Sequence, residues 1–380
     1  MKKTISLLLA VLLFITAAGC SKRGEAAETP APTEDAVPPA TATPTPAPTS
    51  TLKPTPTPSP TPEPTPTPTP APKYRNPFNG EPIDEPWTAR PFSVMVNNKI
   101  EAQPQCETGK ADILYEALAE GGVTRMLAIF SDIRSAEHLG SIRSIRPYFI
   151  DLSLAYGAVT CHAGGSDEAY RRIRYEGIEN IDGVRGPYTA SVFYRDSWRR
   201  SHGYWIEHTL FTEGQNLYDC AETTLGYPLT VSEDYQTGLD FIEDATPANG
   251  EAASNIQIDF NVGKSTTVVY HEDTGLYSLQ QFGKDYIDGN SEELVCFRNV
   301  LAIAAATRIV DAEARLSVTL TGTGDGYYAC GGKYIPITWS REDLADCFHY
   351  YTADGKPLNV SVGKTYIAIL SAGKSKIEFT

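Results

Sequence analysis

Arginine is the residue type whose distribution in this sequence points most directly to chemistry. No lysine occurs between Ala111 and Gly263, yet eleven arginines lie between Arg125 and Arg200. The planar guanidinium group suits carboxylate and phosphate oxygens, and it keeps its charge when partly buried. The pattern therefore allows two interpretations: structural arginine–carboxylate pairs, or a binding pocket for an anion.

Four of these arginines lie at predicted ends of strands and helices, where α/β proteins commonly place ligand sites. We expect at least two of them to form an anion pocket; the four are Arg125, Arg143, Arg146 and Arg195. The first three are expected to face a common void without private carboxylate partners. Five other arginines are expected to pair with carboxylates on helix faces, namely Arg171, Arg172, Arg174, Arg199 and Arg200.

Five further polar residues are candidates for supporting roles in such a pocket. His162, in the run Cys161–Asp167, is either a general base or phosphate donor, or part of a strand, a turn and a helix N-cap formed by Ser166 or Asp167. Glu120 lies five residues before Arg125 and could orient that arginine or bind a cation. The remaining two candidates are Asp196 and His208.

Other kinds of site find no support in the sequence. The histidine and cysteine spacings contain no metal-binding pattern, and no Gly-x-Ser-x-Gly elbow occurs, so we predict neither a metal nor a cofactor and assign no catalytic residue. The charge balance is 47 acidic against 32 basic residues, a net −15, which argues against a nucleic-acid partner.

Aromatic residues are frequent in the same region as the arginines. They either stack on sugar rings in a cleft or pack in the core and at its rim. The set consists of Tyr148, Tyr156, Tyr170, Tyr175, Tyr188, Tyr194, Tyr204, Trp198 and Trp205.

The N-terminus has the features of a targeting segment. Residues 1–19 combine a lysine-containing start, an apolar run and small residues before Cys20, which is typical of a lipoprotein signal peptide with Cys20 as the lipidated residue. The alternative is an ordinary signal peptide with a chance cysteine at its end. Lipidation would anchor the protein at the outer face of the cytoplasmic membrane, making the membrane one of its partners.

A proline-rich tether follows over residues 20–75. Between Pro30 and Pro72 lie 17 of the 28 prolines, mostly alternating with Thr, Ala and Ser. This composition favours a disordered stalk of polyproline II character, about 130 Å long at about 3.1 Å per residue. Such a stalk would carry a folded domain into the cell wall, where a wall polymer or an envelope protein could be the partner.

The remaining chain divides into an α/β (α+β) sandwich domain over 76–231, a linker over 232–254 and a small antiparallel β-rich domain over 255–380. In the first domain, alternation predicts strands at Phe92–Val96 and Thr124–Phe130. Helical spacing and capping residues predict helices at 111–120, 147–154 and 166–175.

Six cysteines lie beyond Cys20, with wide spacings and no Cys-x-x-Cys. They are either packing cysteines or include one or two disulfides. Cys330 and Cys347 are the first pair to test, since both fall in the strand-rich region.

Several segments resemble a known family. NPFNG (76–80), ARPFSVMVNN (89–98), CHAGGS (161–166), FYRD (193–196) and GYYACGGKYIPITWS (326–340) are similar to the YerB-like lipoproteins of Gram-positive bacteria, a two-part domain of unknown function. His208 matches a family run whose flanking residues differ here. The first domain also has a faint similarity to LytR-CpsA-Psr phosphotransferases, although their arginine–aspartate pairing in the turn is not matched.

These observations favour a cell-surface lipoprotein that binds an anionic envelope ligand through a cleft of arginines and aromatic rings. The ligand would be a polymer, a glycan phosphate or a partner protein. The alternative is a phosphotransferase or hydrolase acting on lipid-pyrophosphate-linked wall polymers.

Overall fold

A computed structural model describes residues 72–380. The predicted signal peptide, Cys20 and nearly all of the tether lie outside the described residues, so the expectations about them stay predictions. Within the described range, the helices are all too short or too polar to cross a membrane.

The first half of the described chain mixes strands with short helices. Its strands are β1 (Tyr74–Arg75), β2 (Pro82–Ile83), β3 (Phe92–Asn98), β4 (Ile113–Leu118), β5 (Thr124–Phe130), β6 (Leu139–Gly140), β7 (Val159–His162), β8 (Asn180–Asp182), β9 (Phe193–Arg195) and β10 (Leu210–Thr212). Its helices are α1 (Pro147–Leu154), α2 (Asp167–Glu176), α3 (Thr189–Val192), α4 (Ser197–Ser201) and α5 (Gly214–Asp219), which continues as a π-helical turn over Cys220–Thr224. Short 3-10 turns cover Ile100–Ala102, Thr108–Lys110, Glu120–Gly122, Ile133–Ser135 and Ile206–His208.

The second half consists of strands. They are β11 (Asp240–Ile242), β12 (Glu251–Ala252), β13 (Asn255–Asn261), β14 (Lys264–His271), β15 (Leu276–Gln281), β16 (Lys284–Asp285), β17 (Cys296–Phe297), β18 (Asn299–Ala305), β19 (Thr307–Ile309), β20 (Leu316–Val318), β21 (Gly322–Cys330), β22 (Lys333–Arg341), β23 (His349–Thr352), β24 (Asn359–Ser361), β25 (Thr365–Ser371) and β26 (Lys376–Phe379). The predicted fold class, an α/β part followed by an antiparallel β-rich part, is confirmed.

One large sheet runs through both halves. Its order is β12-β22-β21-β18-β25-β4-β5-β3-β7-β8, with β23 added beside β22. The junction is the parallel pair of β25 and β4, in which Thr365 lies opposite Ile113 and Ile369 opposite Ala117. A strand from the C-terminal half therefore completes the sheet of the N-terminal half.

The large sheet is covered on both faces. In β3, Val94 and Val96 pack in one core with residues of a second, six-stranded sheet such as Ile258, whereas Met95 between them packs in the other core with α1 residues such as Phe149. This alternation follows from the two-residue period of a strand. Because the central strands are buried on both faces, their sequences are predominantly apolar.

The helix predicted over 111–120 is wrong: the segment forms strand β4. Ile113, Leu114, Ala117 and Leu118 fit one helix face, but a strand buried on both sides produces the same run of apolar residues. The segment pairs with β5 on one side and β25 on the other, and these tertiary contacts decide its conformation.

The piece predicted as a linker over 232–254 takes part in the β structure. Its β11 pairs in parallel with β24, and its β12 pairs with β22 at the edge of the large sheet. Within 72–380 the segment is therefore joined to the β-rich half by these two short strands.

The six cysteines of the described residues are free thiols. Cys330 Sγ lies 3.1 Å from Ser361 Oγ, while Cys347 Sγ lies 3.8 Å from His349 Nε2. Cys330 and Cys347, the first pair to test, therefore form no disulfide, and the free thiols agree with the alternative of packing cysteines.

Candidate functional site

Two of the predicted anion-binding arginines share one carboxylate. Glu120 begins the turn between β4 and β5, where Gly121 and Gly122 have φ of 73° and 74°, a conformation that favours glycine. This turn brings Arg125 Nη2 to 2.7 Å from Glu120 Oε1. Arg146, the residue before α1, donates from Nε to Glu120 Oε2 at 3.0 Å, and its Nη2 contacts the same carboxylate.

This cluster of one carboxylate and two guanidinium groups is largely buried. Burial alone would raise the pKa of Glu120, but the hydrogen bond from Arg146 and the charges of both arginines outweigh it and lower that pKa to about 2. Burial, helped by the charge of Arg146, lowers the pKa of Arg125 to about 10. Further guanidinium donors bind the carbonyl oxygens of Ser144 at 2.6 Å and Ile145 at 2.8 Å. An external anion would have to compete with Glu120 for both arginines.

Arg143 lies beside this cluster but pairs with a different carboxylate. Its Nη2 is 3.3 Å from Glu207 Oε2, and Lys99 Nζ is 3.7 Å from the other oxygen of Glu207. The charge of Arg143 contributes to the lowered pKa of Arg125, so the three arginines are neighbours. The expectation that they face a common void without private carboxylate partners is wrong, because Arg125 and Arg146 pair with Glu120 and Arg143 pairs with Glu207.

His208 is buried next to Glu207. Its Nε2 lies 3.5 Å from Glu207 Oε1, and its Nδ1 lies 2.8 Å from the side-chain nitrogen of Asn97. Burial lowers the pKa of His208, with Glu207 opposing that effect. The residue thus connects β3 with the Ile206–His208 turn.

Arg195 and Asp196 lie at the end of β9. Arg195 Nη1 donates to the carbonyl oxygen of Ile206 at 2.6 Å. Asp196 caps α4 by accepting from the backbone nitrogen of Arg199 at 2.6 Å, and its other oxygen lies 3.1 Å from His138 Nε2. Asp196 therefore has a structural role in starting α4.

An exposed aromatic surface adjoins Arg195. We call it the tryptophan face and define it by Arg195, Trp198, Arg200, Trp205 and Ile206. Trp198 is 56% exposed, Trp205 74% and Ile206 59%. Among residues 72–380, neither Arg195 nor Arg200 forms an ion pair, so both charges are available to solvent.

His162 is fully buried, and its ring makes its polar contacts with Gly164 and Asn180 and not with the arginine cluster. Its Nδ1 lies 2.9 Å from the carbonyl oxygen of Gly164, and its Nε2 lies 3.1 Å from Asn180 Oδ1. The Asp182 carboxylate is 3.7 Å from Nδ1. Since the ring is inaccessible to a ligand, the interpretation of His162 as a general base is wrong; its contacts instead position Asn180 and Asp182 on β8.

A concave site lies in front of these β8 residues. It has a volume of about 570 Å³, and we call it the tyrosine–arginine cleft. The cleft is lined by four tyrosines and three arginines, together with Asn180 and Asp182 of β8. The tyrosines and arginines are Tyr170, Arg171, Arg174, Tyr175, Arg185, Tyr188 and Tyr227.

Helix α2 supplies one wall of the cleft. Ser166 starts the helix by accepting from the backbone nitrogen of Ala169 at 3.2 Å. Tyr170 and Arg174 are four residues apart and therefore share a face of α2. The predicted N-cap role of Ser166 thus sets the position of two cleft residues.

Strand β8 holds the tyrosine rings by their hydroxyl groups. Tyr170 donates to Asp182 Oδ2 at 2.7 Å, and Tyr188 accepts from the backbone nitrogen of Asp182 at 3.0 Å. The hydroxyl of Tyr227 lies 3.2 Å from the carbonyl oxygen of Asn180 and accepts from its backbone nitrogen at 3.3 Å. With the hydroxyl groups fixed, the ring faces form firm walls.

The arginines of the cleft differ in their partners. Arg171 pairs with Glu168, an exposed carboxylate on the same helix. Arg174 and Arg185, by contrast, form no ion pair among residues 72–380. The Arg185 guanidinium carbon is 3.5 Å from the centre of the Tyr170 ring, a cation–π contact. The expected pairing of Arg174 with a helix-face carboxylate is therefore wrong, whereas that of Arg172 with Asp151, at 2.6 Å, is present.

Sequence reasoning missed Arg185 and Tyr227 as members of this cleft. Tyr170, Tyr175 and Arg174 could have been grouped from their spacing on one predicted helix. Arg185 follows β8 in a loop and Tyr227 lies after the π-helical turn, so no sequence spacing connects either residue with α2.

The comparisons with known proteins identify the family. The sequence profile of the DUF3048 N-terminal domain, described as a protein of unknown function, matches residues 78–227, and that of the C-terminal domain matches residues 256–367. The chain belongs to the DUF3048 family. The resemblance to the YerB-like lipoproteins is confirmed as well.

A relative and a solved structure agree with this assignment. YerB of Bacillus subtilis strain 168, a protein named as a lipoprotein, is 29% identical over 302 residues, which cover 78% of this chain and 86% of YerB. The crystal structure of the YerB protein from Bacillus subtilis matches with a TM-score of 0.69 at 26% identity, covering 80% of this chain and 99% of that one. Neither comparison names a ligand.

Proposed function

We propose that this protein is a membrane-anchored envelope lipoprotein that binds a phosphate-bearing glycan in the tyrosine–arginine cleft. The observation that carries the proposal is the composition of the cleft. Four tyrosine rings and the two unpaired guanidinium groups of Arg174 and Arg185 line one concavity of about 570 Å³.

The chemistry of the cleft suits both parts of such a ligand. Tyrosine ring faces offer flat, apolar surfaces for a sugar ring. The hydroxyl groups of Tyr170, Tyr188 and Tyr227 are already bound to β8, so these three rings lose little freedom on binding. Guanidinium groups bind phosphate oxygens in a bidentate manner. Because the whole chain carries a net charge of −15, local arginines are needed to attract an anion to this surface.

The predicted N-terminal segment agrees with this role. A lipid on Cys20 would hold the protein at the membrane, and the proline-rich tether would let the cleft reach polymer within the cell wall. The similarity to a protein named as a lipoprotein supports the anchoring part of the proposal.

The enzymatic alternative has less support. A phosphotransferase or hydrolase using Arg125, Arg143 and Arg146 would need their guanidinium groups to meet a pyrophosphate. In the structure these groups bind Glu120 and Glu207. We therefore favour binding over catalysis.

The test compares two pairs of unpaired arginines. The variant Arg174→Ala with Arg185→Ala removes the charges of the cleft, and the control Arg195→Ala with Arg200→Ala removes those of the tryptophan face. The probes are a hexosamine 1-phosphate and the matching neutral hexosamine, measured by calorimetry, together with phosphate-rich wall polymer measured by co-sedimentation.

We expect the cleft variant to lose about tenfold to 100-fold in affinity for the sugar phosphate, since hydrogen bonds to charged groups contribute about 1.5–3 kcal/mol. The control should bind like the unaltered protein, and added salt should weaken binding. Tyr175→Ala should also weaken the neutral sugar. Unchanged binding of the sugar phosphate by the cleft variant would contradict the proposal. Loss of binding in the control alone would contradict it as well and would place the site on the tryptophan face.

A further inference from the structure

Three side chains with different donor atoms converge in the loop that leads from β22 into β23. His349 Nε2 lies 3.8 Å from Cys347 Sγ and 3.6 Å from Asp346 Oδ1. The three donor atoms all lie within 4.8 Å of one another, and all three residues are half-buried. Sulfur, nitrogen and oxygen thus meet at one point that solvent can reach.

The arrangement is that of a chelating site and not of a catalytic relay. In a cysteine–histidine–aspartate relay, the thiol and the carboxylate bind opposite nitrogens of the imidazole ring. Here the same nitrogen, Nε2 of His349, faces both Cys347 and Asp346. All three donors therefore point toward a common centre.

Two of the three donor separations match the edges of a tetrahedral metal site, and the third, between Cys347 Sγ and the Asp346 carboxylate, is at most 4.8 Å. Zinc–sulfur bonds of about 2.3 Å and zinc–nitrogen bonds of about 2.0 Å place those two ligands about 3.6 Å apart in a tetrahedron, and nitrogen and oxygen ligands about 3.4 Å apart. The observed separations of 3.8 Å and 3.6 Å exceed these edges by only about 0.2 Å.

The surrounding backbone holds the donors in place. Arg341 Nε, itself buried, donates to the carbonyl oxygen of Asp346 at 2.8 Å. Asp343 Oδ1 accepts from the backbone nitrogens of Ala345 at 2.7 Å and Asp346 at 3.1 Å. The loop before the first ligand is therefore anchored at both its start and its end.

Alternation along the chain places the other two ligands together. Phe348 is buried and packs against Trp339, with ring centres 5.6 Å apart. Cys347 and His349 flank it and so project to the opposite side. On that side Gly238 passes so close that a Cβ there would lie 3.1 Å from Cys347 Sγ, which restricts where the thiol can point.

We propose that Asp346, Cys347 and His349 bind a transition-metal ion of borderline softness, with Zn²⁺ as the best match. Thiolate, imidazole and carboxylate are the three ligand types that zinc uses in proteins, whereas Mg²⁺ and Ca²⁺ would not select a thiol. Three protein ligands leave the fourth position open to solvent. Binding releases the thiol proton of Cys347, because the thiolate is the ligand. The site is independent of the tyrosine–arginine cleft.

The test uses Co²⁺ as a spectroscopic substitute, with the full chain carrying Cys20→Ala in mild detergent and a phosphine reductant. We expect a near-ultraviolet thiolate-to-cobalt band together with visible bands of tetrahedral intensity, both displaced by Zn²⁺. Cys347→Ser should abolish the thiolate band. His349→Gln should weaken Co²⁺ binding at least about 100-fold. Removal of a residue that only hydrogen-bonds to a metal ligand already lowers metal affinity by about 10–100-fold.

Cys296→Ser is the matched control, because Cys296 is also a half-buried free thiol. It should leave the spectrum unchanged, and circular dichroism should show the same fold for all variants. Absence of a thiolate band in the unaltered site, or a band that survives Cys347→Ser, would overturn the proposal. A band lost with Cys296→Ser would overturn it equally.

Discussion

Replacing Glu120 by glutamine removes the carboxylate charge that pairs with both Arg125 and Arg146 while keeping the shape of the side chain. Both arginine side chains are at most one-tenth exposed, at 7% and 10%. Without the carboxylate, two guanidinium groups of like charge would remain buried side by side. We expect Glu120→Gln to destabilise the folded state because a buried charge that loses its partner is costly.

The magnitude follows from the pKa of Glu120, which the folded protein lowers from 4.5 to about 2. A difference of about 2.5 units corresponds to about 3 kcal/mol of stability at neutral pH, since one unit is worth about 1.4 kcal/mol. Because the folded-state value lies below the unfolded one, this contribution is complete above about pH 4.5 and is lost as the pH falls through about 2. By pH 3, about 2 kcal/mol of it should be gone.

The assay is urea unfolding of both proteins at pH 7 and at pH 3, followed by circular dichroism. At pH 7 we expect the free energy of unfolding of the variant to be about 3 kcal/mol lower than that of the unaltered protein. At pH 3 this difference should be smaller by about 2 kcal/mol. Glu168→Gln, which breaks the exposed pair with Arg171, should produce no measurable change. A gap that is absent at pH 7, or equal at both pH values, would refute the reasoning.

Three further predictions concern the lipid anchor, the start of the folded part and a buried ion pair. Cys20→Ala should move the protein from the membrane fraction to the soluble fraction on immunoblots, and retention in the membrane would contradict lipid anchoring. A chain that starts at Lys73 should unfold at the same temperature as the full-length chain, since the proline-rich composition of the preceding tether offers few apolar side chains for a core; a clear drop in that temperature would contradict the boundary. Lys264→Met should lower the free energy of unfolding by about 3–5 kcal/mol in urea, because it leaves the buried Glu116, 3.1 Å away, without its cation; an unchanged midpoint would contradict a charged pair.

Elements whose signals are local could be predicted from the sequence. Helix α2 begins at its N-cap Ser166 and ends before Gly177, whose φ of 68° suits a glycine C-cap. Strand β5 was evident from its short apolar run between turn residues. In both cases the residues that decide the conformation lie within or beside the element itself.

Strand β4 could not be predicted because its conformation depends on distant residues. Glu116 in its centre accepts hydrogen bonds from Thr266 at 2.9 Å, Gln281 at 2.9 Å and Tyr366 at 2.7 Å, all from the other half of the chain. In the sequence this carboxylate looks like a polar residue on a solvated helix face. Its actual role as a buried acceptor that joins two halves has no local signature.

The candidate site was only partly accessible to sequence reasoning, for a similar reason. The arginine bias drew attention to the region, yet the sequence does not show which of its arginines meet a carboxylate, as Arg125 and Arg174 illustrate. What separates them is the partner: Glu120 returns through a turn to meet Arg125, whereas α2 carries Arg174 to the rim of a cleft. Only the fold reveals which guanidinium groups remain free.

The parallel pair of β25 and β4 has a consequence for how the chain reaches its native state. The two strands are separated by about 250 residues in the sequence, so contact formation between them is slow and comes late. When the chain emerges from a ribosome or a translocation channel, its N-terminus comes first. Strand β4 then has an unpaired edge until β25 has emerged and paired with it. Open edges recruit other strands. We therefore expect the N-terminal half, produced without β25, to expose the edge of β4 to other strands, because the strand that covers this edge comes from the far end of the same chain.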